Sequence, residues 1–154
     1  MGNLAVGYDF AGRDDMSLPL KEQAFERKKA TLGPDDPATL NSINNLATAY
    51  ARAGNFDQAI PLLEQTLDMR KVKLGLDHRD TFISMNNLAG EYLHAGKLDQ
   101  ALPLFEQTLE KVKAKLGPDH HHTLGSMINL AFAYGTAGKF DLALPLCELT
   151  LQKQ

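Results

Sequence analysis

The sequence repeats itself with a period of 42 residues, and this periodicity limits the folds open to the chain more than any other feature. Three copies begin with the dipeptide Leu-Gly, at Leu32, Leu74 and Leu116. The first two copies are identical at 23 of 42 positions. Residues 1–31 fit the same frame as a partial copy, since Tyr8 lies one period before Tyr50. Such self-similarity is typical of architectures that stack one supersecondary unit on the next.

Each copy is predicted to form two helices. In the first complete copy two apolar sets recur at helical spacing, namely Leu40, Ile43, Leu46, Ala47 and Tyr50, then Phe56, Ala59, Ile60, Leu63 and Leu67. Asp36 followed by Pro37 is a favourable helix start, because proline fits the first helical position. Gly54 is a typical helix end. We therefore predict an all-α fold of about three and a half helix pairs.

Length and composition bound the remaining possibilities. The 154 residues fit one domain, and we expect a single repeat domain (1–31 partial, then 32–73, 74–115 and 116–154). A net charge of -3 lacks the basic excess of nucleic-acid binders, so we expect no nucleic-acid partner. No apolar run is long enough to span a membrane, and no membrane partner is expected. The single cysteine and the lack of a signal-peptide pattern favour a cytoplasmic location.

The repeated residues resemble the tetratricopeptide repeat. That family pairs a leucine, a small residue and a tyrosine on the first helix with a glycine turn and an alanine on the second, here Leu46, Ala47, Tyr50, Gly54 and Ala59. The same set recurs in the next two copies. The long period, with "LGPDH" before the first helix and "NNLA" within it, is similar to the kinesin light chain type. His121 and His122 depart from the proline and aspartate usual in that type.

The resemblance implies a right-handed superhelix in which the first helices line a concave groove that holds an extended peptide or a partner's helix. It implies a scaffold without catalytic chemistry, so we expect no enzyme activity, cofactor or metal.

One asparagine recurs in all four copies, as Asn3, Asn45, Asn87 and Asn129. Its neighbour varies, being Asn44, Asn86, Ile128 and Gly2. Asparagine is a mediocre helix former, so a fixed position beside a variable one indicates a selected role. Residues three and four apart share its helix face. We call each such set of residues on one helix face a stripe. The stripes contain Asn41, Thr48 and Arg52 in the first complete copy, Ile83, Gly90 and His94 in the second, Gly125, Phe132 and Thr136 in the third, and Val6 and Phe10 in the partial copy.

An asparagine amide can both donate and accept hydrogen bonds, so a column of them can hold the backbone of an extended peptide. Pockets lined by Val6, Phe10, Ile83 and Phe132 would then select side chains. The alternative is that the amides bond neighbouring helices and set the superhelix. Arg52 and His94 are the only stripe residues that can carry charge, and no acid joins them in the stripes. We therefore expect neutral-to-acidic peptides with some apolar side chains.

Two further features have structural interpretations. The run His120, His121 and His122 suggests a metal site, but His120 matches His78 in the repeat, and adjacent side chains at a helix start are expected to point apart. We therefore expect these histidines to be ordinary loop residues that do not form a metal site. Cys147 stands where Leu63 and Phe105 stand in other copies, which predicts a buried apolar residue.

The last helix is rich in leucine, and repeat stacks usually need polar caps. We expect the chain to be a fragment of a longer array, with Leu142, Leu146 or Leu149 in an exposed apolar patch. A homo-oligomer formed through uncapped ends, with the groove empty, is the chief alternative function.

Overall fold

The computed structural model describes the backbone of residues 2–153 and the side chains of residues 4–153. This part of the chain forms eight α-helices and no strands, which confirms the all-α prediction. The helices are α1 (Gly2–Phe10), α2 (Asp14–Leu32), α3 (Pro37–Arg52), α4 (Phe56–Leu74), α5 (Arg79–His94), α6 (Leu98–Leu116), α7 (His121–Thr136) and α8 (Phe140–Gln152).

The helix boundaries follow from local chemistry. The Asp36 side chain accepts a hydrogen bond from the backbone N–H of Ala38 at 2.8 Å, which caps α3, and Pro37 is its first residue. Gly54 has φ of +78°, a left-handed conformation that glycine adopts without a Cβ clash. The predicted start and end of α3 are therefore confirmed. Pro61 lies inside α4, and prolines occupy the same place in α2, α6 and α8.

The chain divides into two compact units, Met1–Met69 and Arg70–Gln154. In unit 1, α2 packs against both α1 and α3. In unit 2, α6 packs against α5 and α7, α7 packs against α8, and α5 touches α7. The unit 2 core includes a cluster of Ala89, Leu93, Ala101, Leu102, Phe105, Leu130 and Ala133. The apolar sets predicted from the first copy are buried, with Tyr50 and Phe56 half-buried.

The prediction that Cys147 is buried is wrong, because its side chain is exposed. Its equivalents, Leu63 and Phe105, are buried, and Phe105 lies on the helix that α7 covers. Among the described residues, α7 is the one helix in contact with α8, and it covers one side. Leu144 is accordingly 60% exposed, whereas its equivalent Leu102 is 8% exposed. Repeat equivalence does not predict burial here, because burial depends on which helices pack against α8.

The leucines of α8 differ in exposure according to the side of the helix on which they lie. Leu142 and Leu149 are exposed, which confirms an apolar patch on this helix. Leu146 instead packs against the unit 2 core cluster.

Candidate functional site

In unit 1, Asn45 lies on the exposed face of α3 and lines a groove formed with α1 and α2. The groove has a volume of about 240 Å³. Its apolar wall includes Val6 and Leu20, and its polar wall includes Thr48 and Arg52. The structure therefore brings three residues of the predicted set, Asn45, Thr48 and Arg52, to one concave surface.

The stripe of Arg52 contains no acid, but the structure brings two acids to it from α1 and α2. The Arg52 guanidinium lies 3.0 Å from the Asp14 carboxylate and 3.6 Å from Oδ1 of Asp9. Asp9 also accepts a hydrogen bond from Ser17 at 2.5 Å and pairs with Lys21 at 2.7 Å. Asp9 lies 43 residues before Arg52, so a comparison of stripes within single helices could not reveal the pairing.

These contacts set the ionisation of Asp9. Burial alone would raise the pKa of its carboxyl. The hydrogen bonds from Lys21 and Ser17, with the charges of Lys21 and Arg52, outweigh burial and hold the pKa below its ordinary value of 3.8. Asp9 is therefore a carboxylate at neutral pH and neutralises part of the positive charge in the groove.

His94, the other charged position of the stripes, also has an acidic neighbour. Its Nδ1 lies 3.2 Å from Oε2 of Glu91, one turn earlier on α5, and the Glu91 side chain is buried. The absence of acids was the basis for expecting neutral-to-acidic peptides. That expectation loses its support, and the residues give no preference for peptide charge.

In unit 2, the equivalent faces belong to α5 and α7. Asn87 and Ile83 are half-buried on α5, while Asn129 and Phe132 are exposed on α7. Phe132 is 64% exposed and Ile128 is 47% exposed, so α7 presents apolar surface beside its amide. Polar and apolar positions thus alternate along this face.

The two neighbouring amides have different surroundings. Asn44 is 8% exposed. Asn86 donates a hydrogen bond from Nδ2 to Ser126 Oγ at 3.2 Å, which joins α5 to α7. By contrast, no hydrogen bond joins the side chain of Asn45, Asn87 or Asn129 to any other group within residues 4–153. Asn44 is thus buried with its Oδ1 unpaired and Asn86 joins two helices, whereas Asn45 and Asn129 are exposed and Asn87 is half-buried.

The remaining predicted residues differ in their exposure and in their hydrogen-bond partners. Thr48 donates its hydroxyl hydrogen to the Asn44 carbonyl of its own helix at 3.0 Å. Asn41 is exposed but has a polar partner of its own. Phe10 is 90% exposed at the end of α1. The Asn3 side chain lies outside the described residues.

The structure corrects the prediction that the three adjacent histidine rings point apart. The ring centres of His120 and His121 are 4.2 Å apart, and those of His121 and His122 are 4.1 Å apart. His120 Nδ1 accepts a hydrogen bond from the backbone N–H of His122 and so caps α7. Within the described residues no three histidine, cysteine or acidic side chains are placed to hold a metal ion.

Two groove residues were missed from the sequence. Lys21 and Lys28 both line the unit 1 groove from α2, a second helix of its repeat. The stripes that the sequence indicates all belong to first helices, whereas these lysines lie on a second helix. The seven-residue spacing of the two lysines, which places them on one helix face, is a signal that could have found them.

None of the described helices combines the length and the apolar composition needed to cross a membrane. No curated protein sequence matched the chain. A family profile described as tetratricopeptide repeat matches residues 1–71 and again residues 72–152.

The chain belongs to the tetratricopeptide-repeat (TPR) family. A solved structure from Podosopora anserina, named as a kinesin light chain with nearly identical TPR-like repeats, is 30% identical and has a TM-score of 0.85. The similarity covers 97% of this chain and 71% of that one. This TPR chain is therefore of the kinesin light chain-like type, as its period and motifs predicted.

Two more distant structures share the TPR fold. BtubC from P. vanneervenii is 22% identical with a TM-score of 0.82, over 97% of this chain and 60% of that one. MamA from MSR-1 is 22% identical with a TM-score of 0.60, over 97% of this chain and 72% of that one. TPR folds typically mediate protein–protein interaction, and proteins of this type are generally non-catalytic scaffolds.

Proposed function

We propose that this TPR chain binds extended segments of a partner protein at two places, along the face of unit 2 that carries Asn87 and Asn129 and in the groove of unit 1 beside Asn45. The observation that carries the proposal is that Asn45 and Asn129 are exposed on their helices and have no internal partner, whereas the neighbouring Asn44 is buried. The side chains of these three asparagines form no hydrogen bond with another described group, whereas the neighbouring Asn86 bonds Ser126. An amide kept at a helix surface without an internal partner remains free to bond a ligand.

The chemistry of the amide suits an extended backbone. Its NH₂ group donates and its carbonyl oxygen accepts, so one asparagine can bond both a peptide C=O and a peptide N–H. Such bonds do not depend on the peptide's side chains. Each contributes on the order of 1 kcal/mol net, so one amide in each repeat gives a weak, reversible contact.

Apolar residues beside the amides supply the sequence preference. Val6 lines the unit 1 groove, and Ile83 and Phe132 accompany the amides of unit 2. Burial of an exposed aromatic ring such as Phe132 contributes roughly 25 cal/mol per Å² of apolar surface. We therefore propose that the bound segment carries apolar side chains near its contacts with α5 and α7.

The test is a peptide-library selection on the intact chain and on the variant Asn45→Ala, Asn87→Ala, Asn129→Ala, with circular dichroism confirming that the variant folds. A matched control removes two exposed amides of second helices, Gln65→Ala and Gln107→Ala. Peptides enriched by the wild type and the control, and lost by the triple variant, support the proposal. Equal enrichment on all three places binding elsewhere.

Self-association is a second candidate, favoured by the exposed apolar face of α8. Leu144 and Leu151 are 60% and 77% exposed. Sedimentation velocity over a range of concentrations, repeated with Leu144→Gln plus Leu151→Gln, tests it. A concentration-dependent shift that the variant abolishes supports association, and a monomer at every concentration removes this candidate.

Two earlier expectations stay predictions. Residues 1–154 as a single repeat domain, and a cytoplasmic location, rest on the sequence pattern alone.

A further inference from the structure

All five histidines of the chain lie in unit 2, and four of them surround the first turns of α5 and α7. His78 Nδ1 accepts a hydrogen bond from the backbone N–H of Asp80 at 3.1 Å. His120 Nδ1 accepts the equivalent bond from the N–H of His122, also at 3.1 Å. A backbone N–H can only donate, so Nδ1 of both rings carries no proton. Each imidazole is therefore a helix cap that works only while it is neutral.

The third contact joins the two helix starts. Arg79 Nε, at the beginning of α5, donates a hydrogen bond to His122 Nε2 at 3.0 Å, at the beginning of α7. Arginine has donors only, so Nε2 of His122 is the acceptor and its proton resides on Nδ1. A second proton on His122 would remove this bond and place two cations in contact.

Charged groups from α5, α6 and the preceding loops surround these rings. The cleft beside them is lined by Asp77, Arg79 and Lys115 as well as the histidines. Asp77 pairs with Lys111 of α6, and Asp119 pairs with Lys153. Asp80 follows Arg79 on α5. The nearest acids thus already have cationic partners or lie at a helix start, and Arg79 and Lys115 oppose added positive charge.

We propose that the first turns of α5 and α7 form a proton-sensitive junction, in which protonation of His78, His120 and His122 releases two helix caps and the α5–α7 contact. The added charge also opposes the helix dipole, because cations are unfavourable at helix N-termini. Arg79 and His122 line one small cavity with Ile83 of the amide face, but the junction is tested without peptide binding, so its failure and that of the proposed function are distinguishable.

The direction of the effect follows from the contacts. Burial, then the charges of His121, Arg79 and His120, lower the pKa of His122 below its ordinary value of 6.5. A group with a lowered folded-state pKa binds protons more readily when unfolded, so stability rises with pH. The contribution is complete above pH 6.5 and is lost as the pH falls through the lower folded value.

The chain contains its own control. Asp36 stands one period before His78 and two before His120, and it caps α3 through the same bond to the N–H two residues later. Aspartate remains ionised throughout the range from pH 5 to 8. The α3 cap should therefore not respond to pH where the α5 and α7 caps do.

The first test is the tautomer of each ring, measured by ¹⁵N NMR of the wild-type chain at pH 7.5. We expect protonated Nε2 in His78 and His120, and protonated Nδ1 in His122. Protonated Nδ1 in His78 and His120 at this pH would overturn the proposal. This measurement needs no variant and so does not depend on whether a variant folds.

The second test is amide hydrogen exchange at pH 7.5 and 5.5, corrected for intrinsic rates. We expect protection in the first turns of α5 and α7 to fall roughly tenfold, the size of a lost cap, with no change in the first turn of α3. The variant His78→Asp, His120→Asp, His122→Gln should lose this response, and His121→Gln should keep it. Equal loss in α3, or a response retained by the triple variant, would overturn the proposal.

Discussion

The hydroxyl of Tyr134 donates a hydrogen bond to Oε1 of Glu106 at 2.7 Å and so ties α7 to α6. Tyr50 makes the equivalent bond to Glu22 at 2.5 Å, between α3 and α2. The pKa of each tyrosine is raised to about 12. The leading cause differs, because the hydrogen bond to Glu22 dominates at Tyr50 and burial dominates at Tyr134.

The two tyrosines should therefore respond differently to loss of the acid. We expect Glu22→Gln to lower the pKa of Tyr50 more than Glu106→Gln lowers that of Tyr134. A raised folded-state pKa also means that the bond stabilises below pH 10 and loses its contribution as the pH rises through 12. NMR titration of ring-labelled tyrosine measures both pKa values, and equal shifts in the two variants would contradict this assignment.

The exposed thiol of Cys147 gives a direct test of the α8 face. We expect it to react with a thiol reagent in native buffer at a rate close to that of the unfolded chain, because no described helix covers it. A reaction that proceeds only after addition of denaturant would show that the α8 face is covered in solution. Measurement over a range of protein concentrations separates cover by a second copy from cover within the chain.

The secondary structure was largely predictable from the sequence because its determinants are local. Asp36, Pro37 and Gly54 set the ends of α3 by their own backbone chemistry, and the apolar spacing set its buried face. The histidine caps were also within reach, since His78 and His120 occupy the position of Asp36.

The partners of the site residues were not predictable in the same way. Arg52 meets Asp9 across 43 residues, a pairing that only packing determines. The exposure of Cys147 was not predictable from its repeat equivalents, because burial depends on which helices pack against α8. The outward direction of Asn45 was predicted from its stripe, whereas its lack of an internal partner required the packed structure.

Two glycines of unit 2 should respond in opposite ways to alanine. Gly90 lies in the middle of α5, where an added Cβ meets nothing within 4 Å, and its equivalents are Thr48 and Phe132. We expect Gly90→Ala to raise the free energy of unfolding by about 0.5–1 kcal/mol, through helix propensity. Gly96 has φ of +72°, a conformation that is strained for alanine. Gly96→Ala should therefore lower the free energy of unfolding by about 1–2 kcal/mol.

Urea denaturation followed by circular dichroism measures the free energy of unfolding of both glycine variants. Each variant serves as the control for the other. Destabilisation by Gly90→Ala would mean that the α5 face is covered by something the described contacts do not include.

The same assay should distinguish the constant asparagines from Asn86 by the effect of each alanine substitution on the free energy of unfolding. We expect Asn45→Ala, Asn87→Ala and Asn129→Ala to leave the free energy of unfolding unchanged or slightly raised, because alanine is the better helix former. Asn86→Ala should lower the free energy of unfolding by about 1 kcal/mol, because the hydrogen bond to Ser126 is lost. A loss of 1 kcal/mol or more in each of the first three variants would identify the constant amide as architectural.

The most direct test of the proposed function is the dissociation constant of one selected peptide, measured by calorimetry for Asn87→Ala against Gln107→Ala. We predict that Asn87→Ala weakens binding roughly tenfold, the effect of losing one or two hydrogen bonds, and that Gln107→Ala leaves the affinity unchanged. Equal affinities for the two variants and the wild type would contradict the assignment of the constant asparagine to ligand binding.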